Sequence, residues 1–217
     1  MKISVIITGA TGMVGEGVLL ECLDHPNVGQ VLVINRRPLG RAHPKLKEIV
    51  HPDFFDLSAI QSQLAGYDAC FFCLGVSSVG MKKDDYRHTT YDLTMTVARL
   101  LATLNPDLVF CYVSGKSTNA NGKMNWARVK GDTENALLHL FRRAHMFRPG
   151  FMRTVPGQRN ANKYYPYFAW IYPIGRKFFP GSFCTLTEVA KAMVNTVTKG
   201  AKPILEVKDI VELARIY

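Results

Sequence analysis

ITGATGMVG, from Ile7 to Gly15, is the stretch on which the reading of this chain turns. Thr8, Gly9, Gly12 and Gly15 form the pattern TGxxGxxG. It follows an apolar, β-branched run, KISVIIT (Lys2 to Thr8), of the kind buried on both faces of a parallel sheet. Beyond it Val14, Val18, Leu19 and Cys22 recur near helical spacing, which predicts a helix from about Met13 to the His25-Pro26 pair. A glycine-rich turn between a strand and a helix suits a diphosphate. The helix N-terminus offers unpaired N–H groups and the positive end of its dipole. Gly9 allows the tight turn, Gly12 the close approach of phosphates, and Gly15 the packing of helix on strand.

Outward from this turn, strands and helices alternate. QVLVIN (Gln30 to Asn35) reads as a second strand and residues 49–54 as a third. Ser58 and Gln61 have capping-box spacing, which predicts a helix there. Strands over 68–74 and 108–114 flank a helix over 91–104, whose Leu93, Val97, Leu100, Leu101 and Leu104 share a face. A long helix over 126–144 leads to a short strand at 145–148. Thr185 and Glu188 form a second capping box, opening a helix to about Thr198, and a short strand at 203–207 precedes a helical tail. This alternation predicts an α/β fold with a doubly wound parallel sheet in three layers, αβα. One domain over 1–217 accommodates it, with 151–184 as an irregular, aromatic-rich lobe on the substrate side.

With 217 residues, 47% of them hydrophobic, the chain can bury a proper core and is not of disordered composition. No apolar run reaches the roughly 18 residues of a membrane-spanning helix. The apolar N-terminus reads as a first strand and not as a secretory leader, because no small-residue cleavage site precedes the glycine turn. Five cysteines, an odd number, favour buried free thiols in a reducing compartment, and hence the cytoplasm. Cys70 and Cys73 form a CxxC without a second such pair or a nearby histidine pair, so no metal site is expected. The net charge of +10 suits an anionic partner without choosing one. No nucleic-acid module is recognisable. GKS at Gly115 to Ser117 is not a Walker A loop, since Phe110 stands where that loop needs glycine.

The end of the second strand speaks to cofactor choice. About 20 residues beyond the glycines, NAD-binding turns carry a carboxylate for the ribose 2′-OH. Here Asn35 is followed by Arg36 and Arg37. A carboxylate would repel a 2′-phosphate, whereas a guanidinium grips it with paired bonds. NADP(H) is therefore expected over NAD(H), with Arg36 the main phosphate ligand and Arg37 its helper. Asp53 and Phe54, at the end of the expected third strand, are candidates for the adenine edge. Cys73, Leu74 and Gly75 follow the fourth strand, where a small residue would let the cofactor pass.

The succession TGATGMVG, NRR, CLG, YVS, VKG and RPG resembles the short-chain dehydrogenase/reductase superfamily, and more narrowly the atypical branch that includes the TIP30-like proteins. The resemblance spans most of the chain and is weakest over 155–184. It implies a Rossmann-type fold and a cofactor set comprising Gly9, Thr11, Gly12, Met13, Val14, Gly15, Asn35, Arg36, Arg37, Asp53, Phe54, Cys73, Leu74, Gly75, Lys130, Pro149 and Phe151. In active members a serine polarises the substrate carbonyl, a tyrosine moves the proton, and a lysine four residues later tunes the tyrosine and holds the nicotinamide ribose. Carried onto this sequence, the serine is Ser114, the lysine is Lys130 and the tyrosine position is Trp126. Residues 126 and 130 share a helix face, so the spacing survives. The acid does not, because an indole N–H donates a hydrogen bond but does not usefully ionise. Three readings stay open: a cofactor-binding protein without turnover, a proton from Tyr86, His88, Lys116 or Tyr112, or a reaction needing no tyrosine. The resulting expectation is an NADP(H)-dependent reductase of a small, apolar carbonyl compound, with a non-catalytic NADP(H)-sensing regulator as the alternative.

KYYPYFAWIYPIGRKFF, from Lys163 to Phe179, sets aromatics among cations. It suits a pocket wall or lid, a homodimer contact, a peripheral membrane contact, or simple packing of a small lobe. Pro166, Pro173 and Gly175 argue against one long helix through it.

Overall fold

The structure, a computed structural model, describes residues 2–160 and 171–216. Its centre is a seven-stranded sheet in the order β3-β2-β1-β4-β5-β6-β9. These strands are β1 (Ile3–Thr8), β2 (Val28–Asn35), β3 (Leu46–Val50), β4 (Ala69–Phe72), β5 (Val109–Val113), β6 (Arg143–Arg148) and β9 (Ile204–Glu206). Every neighbouring pair is parallel. The chain runs from β1 outward to β3, then returns past β1 to β4. The strand order therefore reverses beside β1, and the crevice at that point opens at the strands' C-terminal ends.

Both faces of the sheet are covered, and the period of two along each strand divides the core accordingly. Val5 and Ile7 of β1, Val31 and Val33 of β2 and Phe71 of β4 pack beneath α1 (Met13–Asp24), α6 (Leu186–Lys199) and α7 (Val207–Leu213). Ile6, Leu32, Ile34, Cys70 and Phe72 point the other way, toward α3 (Leu93–Leu104) and α4 (Asn125–Leu140). Three layers result, as the alternating pattern requires. Helices α1 and α6 approach closely because Gly17 carries no Cβ; one placed there would lie 2.7 Å from the Leu186 side chain.

Several boundaries differ from the sequence-based expectation. The third strand ends at Val50, so Asp53 and Phe54 lie beyond it. Phe54 is buried among Ile34, Leu57 and Ile60, and Asp53 caps its own turn by accepting the Phe55 N–H at 2.8 Å. Ser58–Gln63 is a 3₁₀ turn without a side-chain cap, not a capped α-helix. The helix expected to begin at residue 91 is preceded by α2 (Lys83–Arg87) and a π-helical turn (His88–Asp92). Its polar sequence hides the periodicity, and only Tyr86 and Thr90 are buried there. Helix α4 stops at Leu140, and β6 takes up the chain from Arg143.

The Thr185–Glu188 capping box forms as expected. The Glu188 N–H donates to Thr185 Oγ1 at 3.0 Å, and the Thr185 N–H donates to Glu188 at 2.7 Å. A second, two-stranded parallel sheet pairs β7 (Phe151–Arg153) with β8 (Phe183–Thr185). Against it lies α5 (Ile171–Phe178), a two-turn helix that carries Pro173 in its first turn, where the missing N–H costs no helix bond. At Gly175 the missing Cβ admits the Phe183 ring. Phe151, Tyr172 and Phe183 pack together there, with ring centroids 5.5 to 6.3 Å apart. In its described part the aromatic stretch thus packs a small lobe. Residues 163–170 of that stretch, including Pro166, lie outside the described residues.

Candidate functional site

The glycine turn is built as its three positions demand. Gly9 has φ +73°, and a Cβ there would lie 2.8 Å from the Cys73 carbonyl group at the end of β4. A Cβ on Gly15 would overlap the Gly9 carbonyl, so helix α1 can sit on the turn only with glycine at that position. Gly12 is different. Its Cβ would meet only the Gly9 carbonyl oxygen, at 3.4 Å, and otherwise face open space. Gly12 caps α1 and donates its N–H to Gly9 at 2.9 Å. The N–H groups of Met13, Val14 and Gly15 are the unpaired donors of a helix start. Gly75 also borders open space beyond β4, next to Cys73 and Leu74.

Beside the turn lies a crevice of about 680 Å³, lined by Thr11, Arg36, Arg37, Pro52, Arg159 and Asn160, among others. Asn35 closes β2 beneath it and is buried; its Nδ2 donates to Glu48 at 3.2 Å. Asn35 Oδ1 and Thr8 Oγ1 are buried polar atoms at this sheet edge with no partner among the described residues. Arg159 and Asn160 were not anticipated from the sequence. They join the crevice because the carboxylate of Glu16, in the first turn of α1, accepts both of their backbone N–H groups. No local pattern announces a contact across 143 residues.

The residues expected at the catalytic positions gather at the end of β5. Ser114 is buried and its Oγ lies 2.9 Å from Thr118 Oγ1. The following loop holds Ser117 in the left-handed region, at φ +71°. Lys130 reaches back from α4, donating from Nζ to the Ser114 carbonyl at 3.0 Å and, less closely, to that of Val113. It also lies 5.7 Å from the centre of the Tyr112 ring. Burial lowers the Lys130 ammonium to about 8, against the opposing pull of Glu134. Glu134 in turn is tied to Arg148 at the end of β6. Trp126 lies one turn before Lys130, and its Cζ3 is 4.0 Å from where a Gly115 Cβ would stand. Pro149 is brought to the same loop, its carbonyl accepting the Lys116 N–H at 3.2 Å. Phe151 turns into the aromatic lobe.

Of the four groups considered as substitute acids, two are buried phenols and two are held by other contacts. Tyr86 is buried, and burial raises its phenol. Tyr112 is buried in β5, and burial pushes its phenol well above the ordinary range. His88 stacks on Phe55 with centroids 4.4 Å apart and bonds Asp92. Lys116 donates to Ser182 Oγ. All five cysteines are free, and burial raises the thiols of Cys22, Cys70, Cys73, Cys111 and Cys184.

A parallel sheet whose order reverses beside a glycine turn defines a Rossmann-like three-layer α/β protein. Within that class the chain belongs to the NAD dependent epimerase/dehydratase family, which residues 5–148 match. It is 26% identical to Protein HTATIP2, the TIP30 protein, of Rattus norvegicus, over 98% of this chain and 89% of that one. Protein fmp52-1, mitochondrial, of Aspergillus oryzae is 28% identical over 72% of this chain and 68% of its own length. Among solved structures, the Bordetella bronchiseptica enzyme WbmF in complex with NAD+ superposes with a TM-score of 0.69 at 15% identity, covering 98% of this chain and 76% of that one. Among the described residues, no helix is long and apolar enough to cross a membrane.

Proposed function

We propose that this chain binds NADP(H) across the glycine turn and acts as an oxidoreductase on a small, apolar carbonyl compound. The observation that carries the reading is the contrast among three glycines. Two are closed in by backbone, while Gly12 faces open space at the start of α1, beside a crevice containing Arg36 and Arg37. The residues fit a dinucleotide. The N–H groups of Met13, Val14 and Gly15 would meet the diphosphate, and the guanidinium groups a 2′-phosphate. The unpartnered Asn35 Oδ1 and Thr8 Oγ1 suit a ligand that brings polar hydrogens to this edge. Cys73, Leu74 and Gly75 would border its passage, and Pro149 and Phe151 its far end.

When bound, the nicotinamide supplies a hydride donor or acceptor. Lys130 would exchange a strand carbonyl for the ribose hydroxyls, a short movement of a flexible side chain. Ser114 would turn its hydroxyl from Thr118 to the substrate oxygen. Trp126 can offer an indole N–H but no transferable proton, so the proton that completes carbonyl reduction would have to come from solvent. WbmF was solved with NAD+, and NAD(H) remains the competing cofactor.

A second reading is a regulator that senses NADP(H) without turning it over, and Trp126 in the tyrosine's place favours it. The two separate by experiment. Purified protein is titrated with NADP+ and NAD+, then incubated with NADPH and a panel of carbonyl compounds. Tighter NADP+ binding with loss of nicotinamide absorbance supports the reductase, and tight binding with a silent panel supports the sensor. Equal affinity for both dinucleotides would overturn the NADP(H) assignment.

A further inference from the structure

Residues 155–160 are fastened to the start of α1 by a set of bonds that the sheet does not need. Glu16 is buried, with 3% of its surface exposed. Its carboxylate accepts the Arg159 N–H at 2.9 and 3.0 Å and the Asn160 N–H at 2.6 Å, and Arg41 stands 3.8 Å away. Gln158 adds a second tie, donating from Nε2 to the Met13 carbonyl while its Oε1 accepts the Val155 N–H at 3.2 Å. Carboxylate bonds to backbone N–H groups are charge-assisted, and a buried carboxylate without them would carry a large desolvation penalty. The consequence is positional. The tie sets residue 159 at the crevice that Arg36 and Arg37 line. Among the described residues none of these three arginines has an acidic partner. Three guanidinium groups around one crevice without a counter-charge call for an anion.

We propose that Arg159 is a third ligand for the 2′-phosphate of NADP(H), and that Glu16 is the positioning residue that holds it there. This rests on the NADP(H) reading above. It adds that phosphate selection is shared between the turn after β2 and a segment from the far side of the chain. The cofactor would therefore bridge the adenosine side of the crevice and the chain that leads into the aromatic lobe. The charge of Glu16 is offset by Arg41, 3.8 Å away, and its oxygens are turned to the N–H groups of 159 and 160.

The experiment is calorimetric titration of the full chain and its Arg159→Ala, Arg159→Lys and Glu16→Ala variants with NADP+, NAD+ and 2′-AMP. Loss of one charge-assisted phosphate ligand predicts about tenfold or greater weakening of NADP+ in Arg159→Ala. The same variant should weaken 2′-AMP in parallel and leave NAD+ unchanged, with Arg159→Lys intermediate. Glu16→Ala should lose the same NADP+ selectivity, and combining it with Arg159→Ala should add little. Arg159 is exposed, so its variants fold whether or not Glu16→Ala does. An unchanged ratio of NADP+ to NAD+ affinity in Arg159→Ala overturns the proposal while leaving the wild-type preference standing. A wild-type protein with no preference for NADP+ overturns the underlying reading as well.

Discussion

Gly9 and Gly15 touch through backbone alone: the carbonyl of Gly9 occupies the place where a Cβ of residue 15 would stand. Gly12, between them in the same turn, is free of that constraint. The two kinds of glycine should therefore fail differently. Gly15→Val forces helix α1 off the turn and should cost roughly 3 kcal/mol or more of stability, as overpacking of a fixed backbone does. Gly12→Val should leave the melting temperature nearly unchanged and weaken NADP+ binding by about 100-fold or more, since its side chain fills the space for the diphosphate. Thermal melts and isotherms on the same samples check both. A Gly12→Val protein that binds normally would remove the crevice from consideration.

The fold was legible because its signals are local. The β-branched run before Gly9, the glycine spacing and the Thr185–Glu188 box each lie within a few residues, and each appears in the structure. What escaped was set by distance or by competition. Glu16 meets Arg159 only through the tertiary fold. The polar residues 83–92 become helical because Tyr86 and Thr90 are buried and Arg87 pairs with Asp132 of α4 at 3.1 Å, none of which is a periodic apolar stripe. The described part of the aromatic stretch holds a two-turn helix, with Pro173 in the first turn and Gly175 packed against Phe183. Of the candidate site, the glycine turn after β1, Ser114 at the end of β5, and Trp126 and Lys130 one turn apart on a helix lie on the elements expected for them. Which polar groups are already engaged could not.

Lys130 offers a pH test. Burial lowers its folded value from 10.5 to about 8. Below pH 8 folded and unfolded chains both carry the proton, so this group adds no slope. Between about 8 and 10.5 the unfolded chain holds the proton and the folded one does not, so stability rises with pH. Relative to Lys130→Met, the native protein should gain up to about 1.4 kcal/mol per pH unit across that window and none outside it. Denaturant melts of both proteins from pH 7 to 11 measure the difference. A flat difference would place Lys130 in water.

The Gly175–Phe183 contact predicts a coupled pair. Gly175→Ala sets a methyl group inside the Phe183 ring and should destabilise by about 1–3 kcal/mol. If that clash is the cause, Phe183→Leu made together with Gly175→Ala should cost less than the sum of the two single changes, and a thermal double-mutant cycle reads the coupling. Simple additivity would locate the cost elsewhere, for instance in the Arg176–Glu188 pair one residue along.

Trp126 decides between turnover and sensing. Residues 126 and 130 lie one helical turn apart, and the lowered ammonium of Lys130 is already present to act on whatever stands at 126. A phenol there would sit within the field of that ammonium and gain a proton that can move, whereas an indole gains nothing. General acid catalysis contributes about 10²- to 10⁴-fold. Trp126→Tyr should therefore raise NADPH-dependent reduction across a carbonyl panel by a factor in that range, or reveal it where the native chain is silent. Trp126→Phe is the control. If the native chain already turns over and Trp126→Phe matches it, the proton reaches the substrate by another route. If Trp126→Tyr binds NADPH normally yet stays silent, the missing acid is not what limits this site, and the sensing role becomes the better account.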